Sequence, residues 1–398
     1  MVENRPRGGP IKLLIAVACA LALLPAASAT AAPRQVPQGF MSMFADGPAV
    51  DPNQVDVDAQ VGAMARNGVE TLRIAFHWSG MQPYASAADV PPDQQGRFAH
   101  SIDGVPTDFA LTDRVVAAGS AHGITILPVV LRSPPWAAKD PADGTSPPKD
   151  AQDYARFMSG LVRRYGPGGE FARERPGQAT LPIRSWQVWN EPNALFYWSE
   201  QPFAPGYTRL LKAAAIAIRK ADPGAQVVLA GLVNESWHHI RKIYKAGGRR
   251  YFDVAAIHPF TREPKNVVRI LRLVRRAMAA NGDRKKHMIV SEFTYASAAG
   301  KGVSRSFGIE VTEKQQAGLL EKVYTLLAAR RRELLLDRVY WASWLRYDKS
   351  GDDVFDYSGL RSVGPDGAIR DKPALAAYRR VARRLEGCAK NSVARCRR

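Results

Sequence analysis

Eight apolar or aromatic runs recur along this chain, with helix-like segments between them. The runs are Phe40 to Ala45, Thr71 to Trp78, Ile124 to Val130, Ile183 to Trp189, Gln226 to Val233, Phe252 to Phe260, His287 to Phe293 and Val339 to Leu345. Strands buried on both faces need continuous apolar runs of this kind, and parallel strands covered by helices are buried in that way. The intervening segments repeat their apolar residues at helical spacing. Leu319, Leu320, Val323, Leu326 and Leu327 form one buried face, Ile270, Leu271, Val274 and Met278 a second, and Leu210, Leu211, Ala214, Ala215 and Ile218 a third. Eight strand–helix units are the count that closes an α/β (β/α)8 TIM barrel. The competing arrangement is an open doubly wound sheet. That fold usually carries a Gly-rich phosphate turn after its first strand, and Phe40 to Asp51 offers none.

The 398 residues are allotted as a leader over 1–31, one barrel domain over 32–387 and a basic tail over 388–398. Long connections follow the second, third, seventh and eighth strands. Met81 to Asp108 is rich in Pro, Gln and Asp, Ser133 to Lys149 is Pro-rich, and Ala296 to Ile309 is rich in Gly and Ser. All leave the C-terminal ends of strands, the side on which barrel active sites are built.

The leader carries Arg5, Arg7 and Lys12, then the apolar run Leu13 to Leu24, then Pro25 and small residues at Ala27-Ser28-Ala29 and Ala29-Thr30-Ala31. This is the order of a secretory signal, with an apolar run shorter than a membrane span needs. It predicts a secreted or cell-surface protein without a membrane span after cleavage. Cys19 lacks the leucine three residues earlier that a lipoprotein site would want. Cys388 and Cys396 then remain, an even pair that an oxidising compartment could join as one short disulfide loop, with two free thiols as the alternative. The formal charge is +19, from 56 basic and 37 acidic residues. That allows an anionic partner such as an acidic polysaccharide, the alternative being arginines spread over solvated helix faces.

The densest chemical signal is Trp186-Gln187-Val188-Trp189-Asn190-Glu191-Pro192-Asn193. An apolar strand runs directly into an amide and a carboxylate, and Pro192 ends it. The second is Met288-Ile289-Val290-Ser291-Glu292-Phe293, again a buried strand ending in glutamate. A carboxylate there is costly unless it has partners or a task. Glycoside hydrolysis needs two carboxyl groups, one to protonate the leaving oxygen, and an amide beside them can hold the sugar 2-hydroxyl. Glu191 ends the fourth strand and Glu292 the seventh, so both reach one rim. Aromatic residues suited to stacking on sugar follow: Trp136 and Trp198 in loops are read as substrate contacts, Trp186 and Trp341 as packing.

Together Asn190-Glu191-Pro192 and Glu292 resemble glycoside hydrolase clan A, the 4/7 superfamily. The Trp-Asn-Glu-Pro-Asn run resembles family 39 most, with family 5 cellulase-like enzymes next. The resemblance spans about Phe40 to Leu385. It implies a retaining glycosidase of O-glycosyl bonds with Glu191 as acid/base and Glu292 as nucleophile. It further implies Arg73 beside the nucleophile, Asn190 on the 2-hydroxyl, His258 in the site and Trp344 as the platform under the sugar. One position departs. The clan often has His-x-Tyr on strand six, and this chain has His258-Pro259-Phe260, which leaves Tyr295 as a source of the missing hydroxyl.

Weaker patterns carry less. Asp348 to Asp353 has spaced acids without the closing glutamate of a calcium loop. The adjacent His238 and His239 do not share a helical face, and Gly166 to Gly169 lacks the lysine of a phosphate loop. No metal or cofactor is expected. The expected partner is a carbohydrate, with no nucleic acid, and the expected state is a monomer. The rival functions are transglycosylation on the same intermediate and a non-catalytic barrel that holds polysaccharide at the cell surface.

Overall fold

The computed structural model describes residues 1–2, 33–304, 307–347 and 353–387. Most of the leader with Cys19, most of the acidic loop at 348–353, and the tail with Cys388 and Cys396 lie outside the described residues. Eight parallel strands form the wall: β1 (Met41–Phe44), β2 (Thr71–His77), β3 (Thr125–Leu131), β4 (Ser185–Val188), β5 (Gln226–Val228), β6 (Val254–His258), β7 (His287–Phe293) and β8 (Leu336–Ala342). Each pairs with the next, and β8 pairs with β1 through Ser42 opposite Tyr340, so the sheet closes on itself. Helices α1 (Val57–Arg66), α2 (Ala110–Ala121), α3 (Ala151–Tyr165), α4 (Phe203–Ala221), α5 (Ser236–Lys245), α6 (Pro264–Ala280), α7 (Glu313–Leu334) and α8 (Pro373–Glu386) follow the strands in turn. This is a (β/α)8 barrel with two small accessory sheets. Among the described residues, no helix is long and apolar enough to cross a membrane.

The helices start where side chains satisfy free backbone N–H groups. Thr312 and Gln315 form a reciprocal capping box before α7, at 3.3 and 2.9 Å, and Asp56 accepts from the Ala59 N–H before α1 at 3.1 Å. Their apolar stripes then cover the outside of the barrel. Leu320, Val323 and Leu327 of α7 are buried, as are Leu271, Val274 and Met278 of α6.

The inside of the barrel is a second, smaller core of Leu127, Val228, Val254, Ala256, Ile289 and Tyr340. It fills the centre, so the barrel is not a pore. Arg73 and Gln187, both fully buried, also lie inside the wall. Two strands differ from the sequence expectation. The fifth breaks after Val228 and resumes at Leu232–Val233, which pair with Ile257 and His258. The eighth begins at Leu336 and ends at Ala342, so Trp344 lies beyond the strand rather than on it.

Candidate active site

Side chains on a strand alternate between its two faces. Gln187 of β4 faces the barrel interior, so strict alternation would turn Trp189 inward and Asn190 outward. The backbone breaks the alternation. Trp189 and Glu191 take left-handed conformations, with φ of 68° and 40°. Trp189 thereby joins the outer core, while Asn190 and Glu191 both face the pocket. Positive φ in a bulky residue stores strain, and the surrounding contacts hold it: the Trp189 N–H donates to the Val130 carbonyl at 3.0 Å and the Glu191 N–H to the Gly231 carbonyl at 3.0 Å.

A different device acts on β7. Val290 is opposite Val339, but Phe293 is opposite Trp341, so β7 carries one extra residue between them. This bulge at Ser291 and Glu292 re-aims the Glu292 side chain. Ile289 fills the barrel centre, and Glu292 comes to the same interior, against Arg73.

The Arg73 guanidinium organises the floor. Its Nη1 donates to Glu292 Oε1 at 2.6 Å, its Nε to Gln187 Oε1 at 2.6 Å and its Nη2 to Asn190 Oδ1 at 2.8 Å. Gln187 is fixed in turn by donating to the Leu229 carbonyl at 3.0 Å. Because Asn190 accepts from Arg73 through its oxygen, its amide N–H groups are left for a ligand.

His258 joins the carboxyl groups. Its Nδ1 lies 2.5 Å from Glu191 Oε1 and its Nε2 3.7 Å from Glu292 Oε1. One oxygen of Glu191 and one of Glu292 lie within 4.8 Å of each other. The Glu191 and Glu292 side chains keep 13% and 15% of their surface exposed, so both are partly buried and reachable from solvent. Burial pushes the Glu292 carboxyl up. The His258 ring, Arg73 and Arg346 together outweigh it and bring its pKa below the ordinary glutamate value. Glu191, His258 and Glu292 also have the donor types of a metal site. Part of the positive charge that such a pair calls for already comes from Arg73.

Around this centre stand further residues, of which the sequence marks only Tyr197, in the aromatic run Phe196-Tyr197-Trp198 after Glu191. Asp46, just beyond β1, pairs with Arg346 at 2.6 Å. His77 ends β2, and burial, then Arg132, hold its pKa below the usual histidine value. Tyr197 lies within electrostatic reach of Glu292, Glu191, Asp46 and Arg132, and burial with those carboxylates pushes its hydroxyl well above the ordinary tyrosine range. Gly231 lies against the His258 ring, which a Cβ there would overlap. Gln187 lies three residues before Asn190, so strict alternation along the strand gives no reason to place the two side chains together. Asp46, His77 and Gly231 come from separate strand ends, and no local motif marks them.

Three aromatic assignments are corrected. Trp344 is fully buried, with its indole N–H donating to Gln60 Oε1 of α1 at 3.0 Å, so it offers no face to a sugar. Trp198 is 2% exposed and packs against Trp189 and Tyr207 at ring separations of 5.4 and 6.2 Å. The loop after Glu191 folds back onto the barrel and makes it core. Tyr295 is buried with its hydroxyl unpaired, and the carboxylate acting on it is Glu263, not Glu292. Trp136 remains partly exposed. It meets Trp78 edge-on at 5.7 Å, and its N–H donates to the Gln82 carbonyl at 2.8 Å. Trp186 and Trp341 are packed in the core.

No protein-family model matches the chain, and no curated protein sequence does. Among solved structures, its fold is similar to that of a family 39 glycoside hydrolase from Bacteroides cellulosilyticus WH2, with 17% identity and a TM-score of 0.61 over 87% of this chain and 64% of that one. It is also similar to a monomeric beta-xylosidase from Caulobacter crescentus CB15, with 19% identity and a TM-score of 0.57 over 87% and 69% of the two chains. A third similar structure is the thermostable GH51 alpha-L-arabinofuranosidase from Thermotoga petrophila RKU-1, with 12% identity and a TM-score of 0.57 over 87% and 71%. This chain thus spans about two thirds of the length of each. At such identities the likeness is one of fold, a (β/α)8 barrel.

Proposed function

We propose that this protein is a retaining glycoside hydrolase, exported from the cell, that cleaves an O-glycosidic bond by double displacement. The observation that carries this is the carboxyl pair: oxygens of Glu191 and Glu292 within 4.8 Å, with Arg73 on one and His258 on the other. Retaining enzymes hold their carboxyl groups about 5–5.5 Å apart, while inverting ones need about 6.5–9.5 Å to admit a water. The names of the similar structures, a beta-xylosidase and an arabinofuranosidase among them, support the same bond type.

The two glutamates divide the work by their partners. Glu292, held ionised by Arg73, attacks the anomeric carbon. Glu191 gives its proton to the leaving oxygen as the old bond breaks. Glu191 then takes a proton from water, and that water's oxygen displaces Glu292 from the sugar. His258, 2.5 Å from Glu191, positions the carboxyl through both steps. The free amide of Asn190 is suited to the sugar 2-hydroxyl.

The test is turnover with anomeric analysis. Glu292→Gln should abolish sugar release from aryl glycosides, and azide should rescue Glu292→Ala as a glycosyl azide. Persistent turnover in Glu292→Gln, or a first product of inverted configuration, would overturn the assignment. Export rests on the basic and apolar order of the leader. Mass spectrometry of the secreted protein should find a mature N-terminus near position 31, and an intact leader would refute it.

A further inference from the structure

Two arginines of the rim are matched by carboxylates. Arg73 is matched by Glu292 at 2.6 Å, and Arg346 by Asp46 at 2.6 Å. Arg132 stands directly after β3, and among the described residues no carboxylate oxygen comes within 4.0 Å of it. Asp143 feels its charge, but the Asp143 carboxylate is turned to Ser199 and to the N–H and hydroxyl of Thr145.

Arg132 is nonetheless held firmly. Its φ is 69°, a left-handed conformation that an arginine rarely adopts. Its guanidinium lies over the rings of Phe196 and Tyr197, at 5.1 and 5.2 Å from their centroids. Nη1 donates to the Gly144 carbonyl at 2.9 Å. The Tyr197 side chain is the link to the reaction centre, because the same hydroxyl is influenced by Arg132 and by both Glu191 and Glu292. His77, the residue opposite Leu131 across the β2–β3 ladder, lies in the field of Arg132 as well. A guanidinium fixed by stacking, half open, and short of a counter-charge is arranged to receive a planar anion through its remaining N–H groups.

We propose that Arg132 binds an acidic substituent of the sugar substrate, the carboxylate of a uronic acid unit beside the cleaved bond. This names the substrate class of the proposed hydrolase and rests on that function. The formal charge of +19 fits the same class, since a basic surface raises the encounter rate with a polyanion.

The experiment compares matched 4-nitrophenyl glycosides, the α- and β-glucuronides and galacturonides against the corresponding glucosides and galactosides, with a 6-O-sulfated glucoside as a further arm. Wild type should favour one uronide over its neutral partner by at least about tenfold in kcat/KM, mainly through KM. That ratio should fall to near one in Arg132→Gln and stay intermediate in Arg132→Lys, which keeps the charge but loses the planar fork. Circular dichroism and melting of both variants check that they fold. Preference for the sulfated substrate over every uronide would replace carboxylate by sulfate and refute the proposal as stated. Neutral glycosides turned over as well as the uronides, or an unchanged ratio in Arg132→Gln, would overturn it while leaving the hydrolase assignment intact. Turnover of no substrate in either set would sink the hydrolase assignment itself.

Discussion

Gly231 faces the His258 ring so closely that a Cβ at this position would stand 2.1 Å from Nε2 and 2.4 Å from Cε1. Both neighbours are fixed, because Gly231 carries the carbonyl that the Glu191 N–H binds and His258 is fully buried. Gly231→Ala therefore displaces the imidazole from Glu191. The expected loss is about 10- to 100-fold in kcat, with a stability cost of about 1–3 kcal/mol from overpacking. Kinetics and urea unfolding on one preparation check both. A variant with wild-type kcat would mean that the ring placement is unimportant to turnover.

Arg73 sets the acid side of the pH profile. With Arg73 present, the folded Glu292 pKa lies below its ordinary value. Its ionised form then contributes stability above the ordinary value, and that contribution is lost as pH falls through the depressed one. Removing the guanidinium leaves burial, which acts in the opposite direction, opposed only by His258 and Arg346. In Arg73→Met the acid limb of kcat/KM should move to higher pH, and folding should weaken by about 3–5 kcal/mol as a buried carboxylate loses its partner. An acid limb that stays in place would show that Arg73 does not control the ionisation of Glu292.

Tyr197 should contribute as a neutral hydroxyl. Burial and the nearby carboxylates keep its proton on throughout the working pH range. Tyr197→Phe removes one donor near the carboxyl pair and is expected to lower kcat/KM about tenfold, the size of one hydrogen bond to a charged group. The melting temperature should hardly move. Equal kinetics for Tyr197→Phe and wild type would place the hydroxyl outside the reaction.

Far from the pocket, Arg164 of α3 is 1% exposed and locks two helices together. Its Nε and Nη2 donate to Asp113 of α2 at 2.9 and 2.5 Å, its Nη1 and Nη2 to Glu174 at 3.1 and 3.0 Å, and it lies over the Phe109 ring at 4.3 Å. Arg164→Met would leave Asp113, itself mostly buried, with only the Tyr165 hydroxyl at 2.7 Å and Arg175 at 3.3 Å. Equilibrium denaturation should show a loss of about 1–3 kcal/mol, with kcat/KM of the folded fraction retained. A loss below about 1 kcal/mol would mean that solvent relaxes the site.

Much of the wall could be read from the chain, because strands buried on both faces leave continuous apolar runs and the covering helices leave stripes such as Leu320, Val323 and Leu327. Glu191 and Glu292 stood out because each interrupts such a run. What the runs could not convey was direction. The inward turn of Asn190 depends on left-handed backbone at Trp189 and Glu191, and that of Glu292 on an extra residue in β7. Trp344 was misplaced because the eighth strand starts three residues earlier than its apolar run, which carries the indole past the rim to Gln60. Trp198 looked like a loop aromatic, but its loop folds back onto Trp189 and Tyr207. Asp46 after β1 and Arg346 beyond β8 meet only through closure of the barrel, a long-range event with no local signature.

The irregular spacing of β7 separates two tasks that a regular strand would couple. The strand's earlier residues seal the central plug, while a single supernumerary position steers the reactive carboxylate. Regular pairing beyond Val290 at the same length would turn the carboxylate out of the cavity while leaving the plug untouched. Lineages could therefore retune or silence the chemistry here by a change of register, without rebuilding the scaffold that carries it.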